Sequence, residues 1–277
     1  MVAGATVAGA MVVDATVVEA TVAGEDERSH VNGFNAKADK VAKEFDEFLD
    51  GVIEEHMNRD NRHENDEKDF VDVLLEIQKQ ETVGFPIERI SIKALILDAF
   101  AASTDTTYTV LEWAMTELLR HPELHDMHYL KAVIKETLRL HTPIPLLLPG
   151  ISTKDVKING YDIVEGTQVI INAWAIGRDP SSWERPEEFI PDRFLNNAID
   201  FKGHNFEFIP FGSGRRICPG ILLAMQIDEL VLANLVHKFD WTLPGGASEK
   251  DLDMTESIGL TIHKSSPLIA VANQWCF

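Results

Sequence analysis

The chain has 277 residues, 45% of them hydrophobic, which is enough for one large domain or two small ones with packed interiors. Its 25 Lys+Arg against 45 Asp+Glu give a formal charge of -20, which excludes general affinity for nucleic acid or anionic lipid, so a negative partner would need a local basic patch. Two cysteines, Cys218 and Cys276, supply no disulfide framework and fit a reducing compartment.

Residues 1–24 hold near-copies of one phrase, Ala5-Thr6-Val7-Ala8-Gly9, Ala15-Thr16-Val17-Val18-Glu19 and Ala20-Thr21-Val22-Ala23-Gly24. With no aromatic residue to pack, this stretch and the residues up to 33 read as a poorly ordered tail. The apolar run Val2 to Val13 ends at Asp14, short of the roughly 20 residues a membrane helix needs, and no basic region precedes it. Neither a spanning helix nor a cleaved secretory signal is expected there.

From Asn35 to Asn58, Ala38, Val41, Ala42, Phe45, Leu49, Val52 and Ile53 recur at helical spacing, which predicts an amphipathic helix. A charged linker around Asp66, Glu67 and Asp69 and a second amphipathic helix from Phe70 to Gln80 follow. The longest helix is predicted over 92–120, with Ser91 as N-cap and His121-Pro122 as its stop. Ser103, Thr104, Asp105, Thr106, Thr107 and Thr109 crowd its middle, and their side-chain oxygens are expected to bend or open it.

Another helix is predicted from Met127 to Leu140. Beyond it, Val156 to Ile158 and Tyr161 to Ile163 flank Asn159-Gly160 and read as a two-residue hairpin, and Val169 to Ile171 supply a further strand. Asp179 to Phe211 is loop-like, and Pro219 to Phe239 returns to helix. The fold class is therefore mainly α with small antiparallel β-sheets, carried by a domain over 34–277.

The chemistry concentrates in Phe211-Gly212-Ser213-Gly214-Arg215-Arg216-Ile217-Cys218-Pro219-Gly220. Gly212 and Gly214 let the backbone turn sharply and approach a flat ligand. Pro219 suits the first helical position, which makes Cys218 the N-cap, where backbone N–H groups and the helix dipole stabilise a thiolate. Such a thiolate is fit to be an axial ligand to haem iron, and Arg216 to meet a haem carboxylate.

This loop resembles that of the cytochrome P-450 superfamily, and companion motifs stand in the family's order. Glu136-Thr137-Leu138-Arg139 is similar to its Glu-x-x-Arg helix and Pro191-Asp192-Arg193-Phe194 to its Pro-x-Arg-Phe loop. By that resemblance Glu136, Arg139 and Arg193 form a structural charged trio, and Cys218, Phe211, Gly212, Arg216 and Gly220 bind haem b, with Cys218 on the metal. Ala102-Ser103-Thr104-Asp105-Thr106 resembles the oxygen-activation segment, which makes Asp105 and Thr106 the catalytic proton relay. Wording such as Leu111-Glu112-Trp113-Ala114-Met115 looks like the plant A-type microsomal group.

The resemblance implies a partial cytochrome P-450 fold. It also implies a haem-thiolate monooxygenase inserting oxygen from O2 into a small apolar substrate, of the plant secondary-metabolite kind. Electrons would come from an NADPH-dependent flavoprotein reductase at the cytosolic face of the endoplasmic reticulum. Lys131, Lys135 and Arg215 are its expected basic docking patch. Ser103 stands where the family usually has glycine, and Gly150 where plant members often carry arginine. The family's anchor, hinge, larger sheet and first helices do not precede the matched region, and a further helix is missing after His121-Pro122-Glu123-Leu124. A second reading therefore stands beside the first: a truncated, non-enzymatic remnant, cytoplasmic for want of an anchor, or an incomplete version of a longer chain.

Overall fold

The computed structural model describes residues 34–58, 68–80, 84–124 and 128–274. The predicted tail, Asp66, Glu67 and Cys276 lie outside them. Six α-helices occur among the described residues: α1 (Phe34–Met57), α2 (Phe70–Gln80), α3 (Arg89–Arg120), α4 (Leu130–Leu140), α5 (Ala173–Ile176) and α6 (Ile221–Lys238). Three two-stranded antiparallel sheets accompany them, so the mainly helical class with small sheets holds. The chain divides into two compact units between Ala101 and Ala102, within α3.

In the first unit Ile53 of α1, Leu74 and Leu75 of α2 and Ile92 of α3 form a small buried core. Asp69 is more than part of a solvated linker: Asp69 and Asp72 exchange backbone-to-carboxylate hydrogen bonds of 3.0 Å, a reciprocal cap on α2. Asp69 also lies 2.8 Å from His56 Nε2. The helix α3 begins earlier than Ser91 predicts. The Glu88 carbonyl accepts its first bonds, because Arg89 is drawn to Asp50 at 2.7 Å and Lys93 to Asp46 and Asp50, which makes the extra turn worth ordering.

The second unit is built around Ala114 and Leu118 of α3, Val133, Ile134 and Leu138 of α4, and Met225 and Leu232 of α6, joined by Trp183, Phe194 and Phe208. The expected opening in the middle of α3 is absent. Thr106 and Thr109 turn their hydroxyls back onto the carbonyls of Ala102 and Asp105, at 2.6 and 2.8 Å, which satisfies them without breaking the ladder. The helix α4 starts at Leu130 rather than Met127, and residues 125–127 lie outside the described set.

The hairpin pairs β2 (Val156–Ile158) with β3 (Tyr161–Ile163). Asn159 at φ 48° and Gly160 at φ 88° give the doubly positive turn that matches strand twist. The strand predicted at 169–171 is shorter: β4 (Gln168–Val169) pairs with β1 (Gly150–Ile151). A third pair, β5 (Phe239–Thr242) with β6 (Val271–Gln274), follows α6. Among the described residues no helix is long and apolar enough to cross a membrane.

Candidate functional site

The glycine-rich loop closes on itself through one backbone bond, the Cys218 N–H donating to the Phe211 carbonyl at 3.0 Å. Gly212 and Gly214 hold φ of 77° and 75°, a conformation that side chains resist, and this folds the segment tightly enough for the closure. The helix α6 begins at Ile221 with Gly220 as N-cap, so Cys218 stands two residues ahead of the observed N-cap and is not itself the cap expected from sequence. The turn of Pro219 and Gly220 intervenes, and the first helical carbonyl to accept is that of Gly220, from Ala224 at 2.9 Å.

Cys218 is a free, exposed thiol, with Arg215 and Arg216 exposed beside it. Phe211 is half-buried against Phe201, ring to ring at 5.8 Å, and fixes the start of the loop to the core. Leu147 reaches to within 4.0 Å of where a Gly212 Cβ would lie, and its neighbours Leu146 and Leu148 are exposed. Leu222 and Leu223, one turn past the thiol, are exposed as well. A bare thiol, exposed aliphatic side chains and guanidinium groups make a donor set that fits a flat apolar group carrying a metal and acidic edges. The residues present therefore fit haem.

In the same unit, α4 contributes Glu136 and Arg139, whose side chains are both fully buried. Arg139 donates to Glu136 at 2.7 and 2.8 Å and to the carbonyls of Gly177, Pro186 and Glu188. Arg193, from the 3-10 turn Pro191–Phe194, donates to Glu136 at 3.0 Å. The Ile190 N–H adds a further bond to the same carboxylate at 2.8 Å. The three charged groups are thus together, and the loop chain 177–190 is wrapped on them.

Asp105 and Thr106 sit on α3, the first side chain exposed and the second half-buried. Thr106 spends its proton on Ala102, so its oxygen is left as an acceptor. Asp105 faces two residues that sequence reasoning missed: Thr261 donates to its Oδ2 at 2.5 Å and His263 Nε2 is 3.2 Å from its Oδ1. His141, just past the end of α4, stacks on Trp113 at 4.0 Å and meets the buried Glu117 at 2.8 Å. The alternation Thr261-Ile262-His263, which puts both polar residues on one side of an extended segment, was the available signal.

The basic patch is smaller than expected. Lys135 lies over the Phe194 and Phe201 rings and donates to the Ile199 carbonyl at 3.0 Å, and burial pushes its ammonium pKa down. Lys131 is exposed but pairs with Glu229 at 3.3 Å. Arg215 alone of the three remains an exposed cation with no ion pair among the described residues.

A cysteine presented by a glycine turn ahead of an apolar helix and a buried Glu–Arg brace thus belong to the same helical unit. The chain belongs to the cytochrome P450 family, whose model matches residues 29–127 and 123–270. Members of this family are haem-thiolate monooxygenases that use O2 and a redox partner.

The two matched pieces overlap at 123–127. The chain is 59% identical over 269 residues to Cytochrome P450 736A117 of Prunus mume, covering 88% of this chain and 52% of that one. It is 52% identical to Cytochrome P450 71A8 of Mentha piperita, over 89% of this chain and 53% of the relative. With the Norfluorocurarine oxidase of Strychnos sp it shares 48%, over 87% and 53%. The chain thus spans about half the length of the relatives it matches. In fold it is similar to a zebra fish cytochrome P450 solved with abiraterone, with a TM-score of 0.75 at 24% identity over 94% of this chain and 63% of that one.

Proposed function

We propose that residues 34–277 form a haem-thiolate monooxygenase core in which Cys218 ligates the iron of haem b. The observation that carries this is the exposed Cys218 thiol inside a closed glycine loop flanked by exposed leucines and arginines. In this reading Phe211 and Gly212 shape the seat, Gly220 leaves the helix start open, and Arg216 pairs with a haem carboxylate. When bound, haem would supply the activation of O2, with two electrons and two protons reducing to water the oxygen atom that does not enter the substrate. Thr106 Oγ1, whose own hydrogen is committed to Ala102, accepts a hydrogen bond from the reacting side, and Asp105 holds the proton to be delivered.

The substrate is a small apolar molecule of the plant secondary-metabolite kind, a reading supported by plant relatives such as the Norfluorocurarine oxidase. Ala102, Pro143 to Leu148 and Ser257 to Leu260 are its proposed walls. Electrons come from an NADPH-dependent flavoprotein reductase, drawn to Arg215, at the cytosolic face of the endoplasmic reticulum. Recombinant protein supplied with haem should give the ferrous-carbonyl Soret band typical of thiolate ligation, and Cys218→Ala should abolish it. Absence of that band in a folded, haem-loaded sample would reject the assignment.

A further inference from the structure

The segment from Thr255 to Ser265 doubles back on itself and is pinned to the helical core. Ser257 N–H donates to the His263 carbonyl and Ser265 N–H to that of Thr255, each at 2.8 Å. The Ile262 N–H bonds Pro143, and the Trp113 indole on α3 donates to the Ile262 carbonyl at 2.9 Å. Since side chains alternate along an extended segment, anchoring Ile262 sends Thr261 and His263 together toward the face of α3 that carries Asp105 and Thr109.

Hydrogen counting in this cluster gives a specific result. Thr109 has one hydroxyl hydrogen and gives it to the Asp105 carbonyl at 2.8 Å, so its oxygen must accept from His263 Nδ1 at 2.9 Å. The Thr261 oxygen is 2.5 Å from Asp105 Oδ2 and 2.9 Å from His263 Nε2. With both contacts made as hydrogen bonds, two hydrogens lie along the line from Nε2 through Oγ1 to Oδ2. They are arranged either as imidazolium, hydroxyl and carboxylate or as imidazole, hydroxyl and carboxylic acid.

We propose that His263 and Thr261 form a proton-loading relay for Asp105. This rests on the reading of Asp105 as the proton-delivering acid and names what reloads it. In one step the Nε2–H bond breaks as its proton passes to Thr261 Oγ1, and the hydroxyl's own proton passes to Asp105 Oδ2. No electrons change hands, and the net result is one proton moved from imidazolium to carboxylate. Thr261 is buried, whereas the His263 side chain is 27% exposed, so the ring regains its proton from solvent. Tyr108, whose ring faces His263 at 5.7 Å, does not compete: burial, with Glu112 beside it, pushes its hydroxyl pKa up to about 12. Thr109 fixes the Nδ1 hydrogen, so the exchange runs through Nε2 alone.

The test is a pH titration of the full 277-residue chain by NMR, following the Asp105 carboxyl carbon and the His263 ring nitrogens together. A shared proton makes both signals report one common step in the wild type. Thr261→Val, of equal size but without the hydroxyl, should split this into two independent steps, and Thr261→Ser should rejoin them. A role in packing alone would not be restored by a smaller hydroxyl residue. Independent titration in the wild type, or a common step that persists in Thr261→Val, overturns the relay. The Soret band of Cys218 reads the haem assignment separately, so either conclusion can fail alone.

Discussion

Asp228 lies on α6 with 1% of its surface exposed, and its Oδ1 has no hydrogen-bond partner among the described residues. Burial pushes its pKa up to about 7. The unfolded chain releases this proton near pH 4 and the folded one near pH 7, so between these values the native state binds the extra proton and stability falls as pH rises. The loss is complete above about pH 7 and is on the order of 4 kcal/mol, given ~1.4 kcal/mol per pH unit. Asp228→Asn removes the ionisation. Urea unfolding should find the variant more stable than the wild type at pH 8, with the gap closing toward pH 4. A gap of constant size would mean that charge burial is not its cause. Sequence alone gave no hint of this residue, because α6 reads as apolar on almost every side. Cys218 was legible for the opposite reason: glycines and a proline at fixed offsets around a cysteine admit few backbone paths.

At the scale of elements, Arg139 does the most to tie separate segments together. It joins α4 to the carbonyls of Gly177, Pro186 and Glu188, which lie on loops with little regular structure of their own. Arg139→Lys keeps the charge but loses the planar fork of donors, leaving buried carbonyls and one edge of Glu136 unsatisfied. The cost should be about 3–5 kcal/mol in denaturant unfolding, the range for breaking a buried ion pair from one side. A loss under about 1 kcal/mol, the range of an exposed pair, would contradict the buried geometry. The spacing of Glu136 and Arg139 on one helical face was legible in the sequence, and so was a place for Arg193. The carbonyls were not, since they come from residues whose side chains say nothing of where their backbone lies. Helix ends were misread for a related reason. Ser91 has good capping chemistry and Cys218 precedes a proline suited to a first helical position, but the ion pairs of Arg89 and Lys93 and the Pro219-Gly220 turn decide where α3 and α6 begin.

For the molecule as a whole, large apolar side chains remain at the surface of the second unit: Leu148 is 67% exposed, Phe206 71% and Leu222 74%. Several flank the thiol loop in sequence or in space, and covering them is favourable at roughly 25 cal/mol per Å². If haem is their cover, its binding free energy adds to folding free energy, because the unfolded chain has no assembled seat. Free haemin at 100 times its dissociation constant should then raise unfolding free energy by about 2.7 kcal/mol. The measurement is a thermal or urea midpoint at rising haemin concentration, for the wild type and for Cys218→Ala. The wild-type midpoint should climb steadily with the logarithm of free haemin. The variant retains the apolar seat but not the sulfur, so it needs more haemin for the same shift. Equal shifts in both proteins would assign the binding to greasy surface alone and remove Cys218 from the iron.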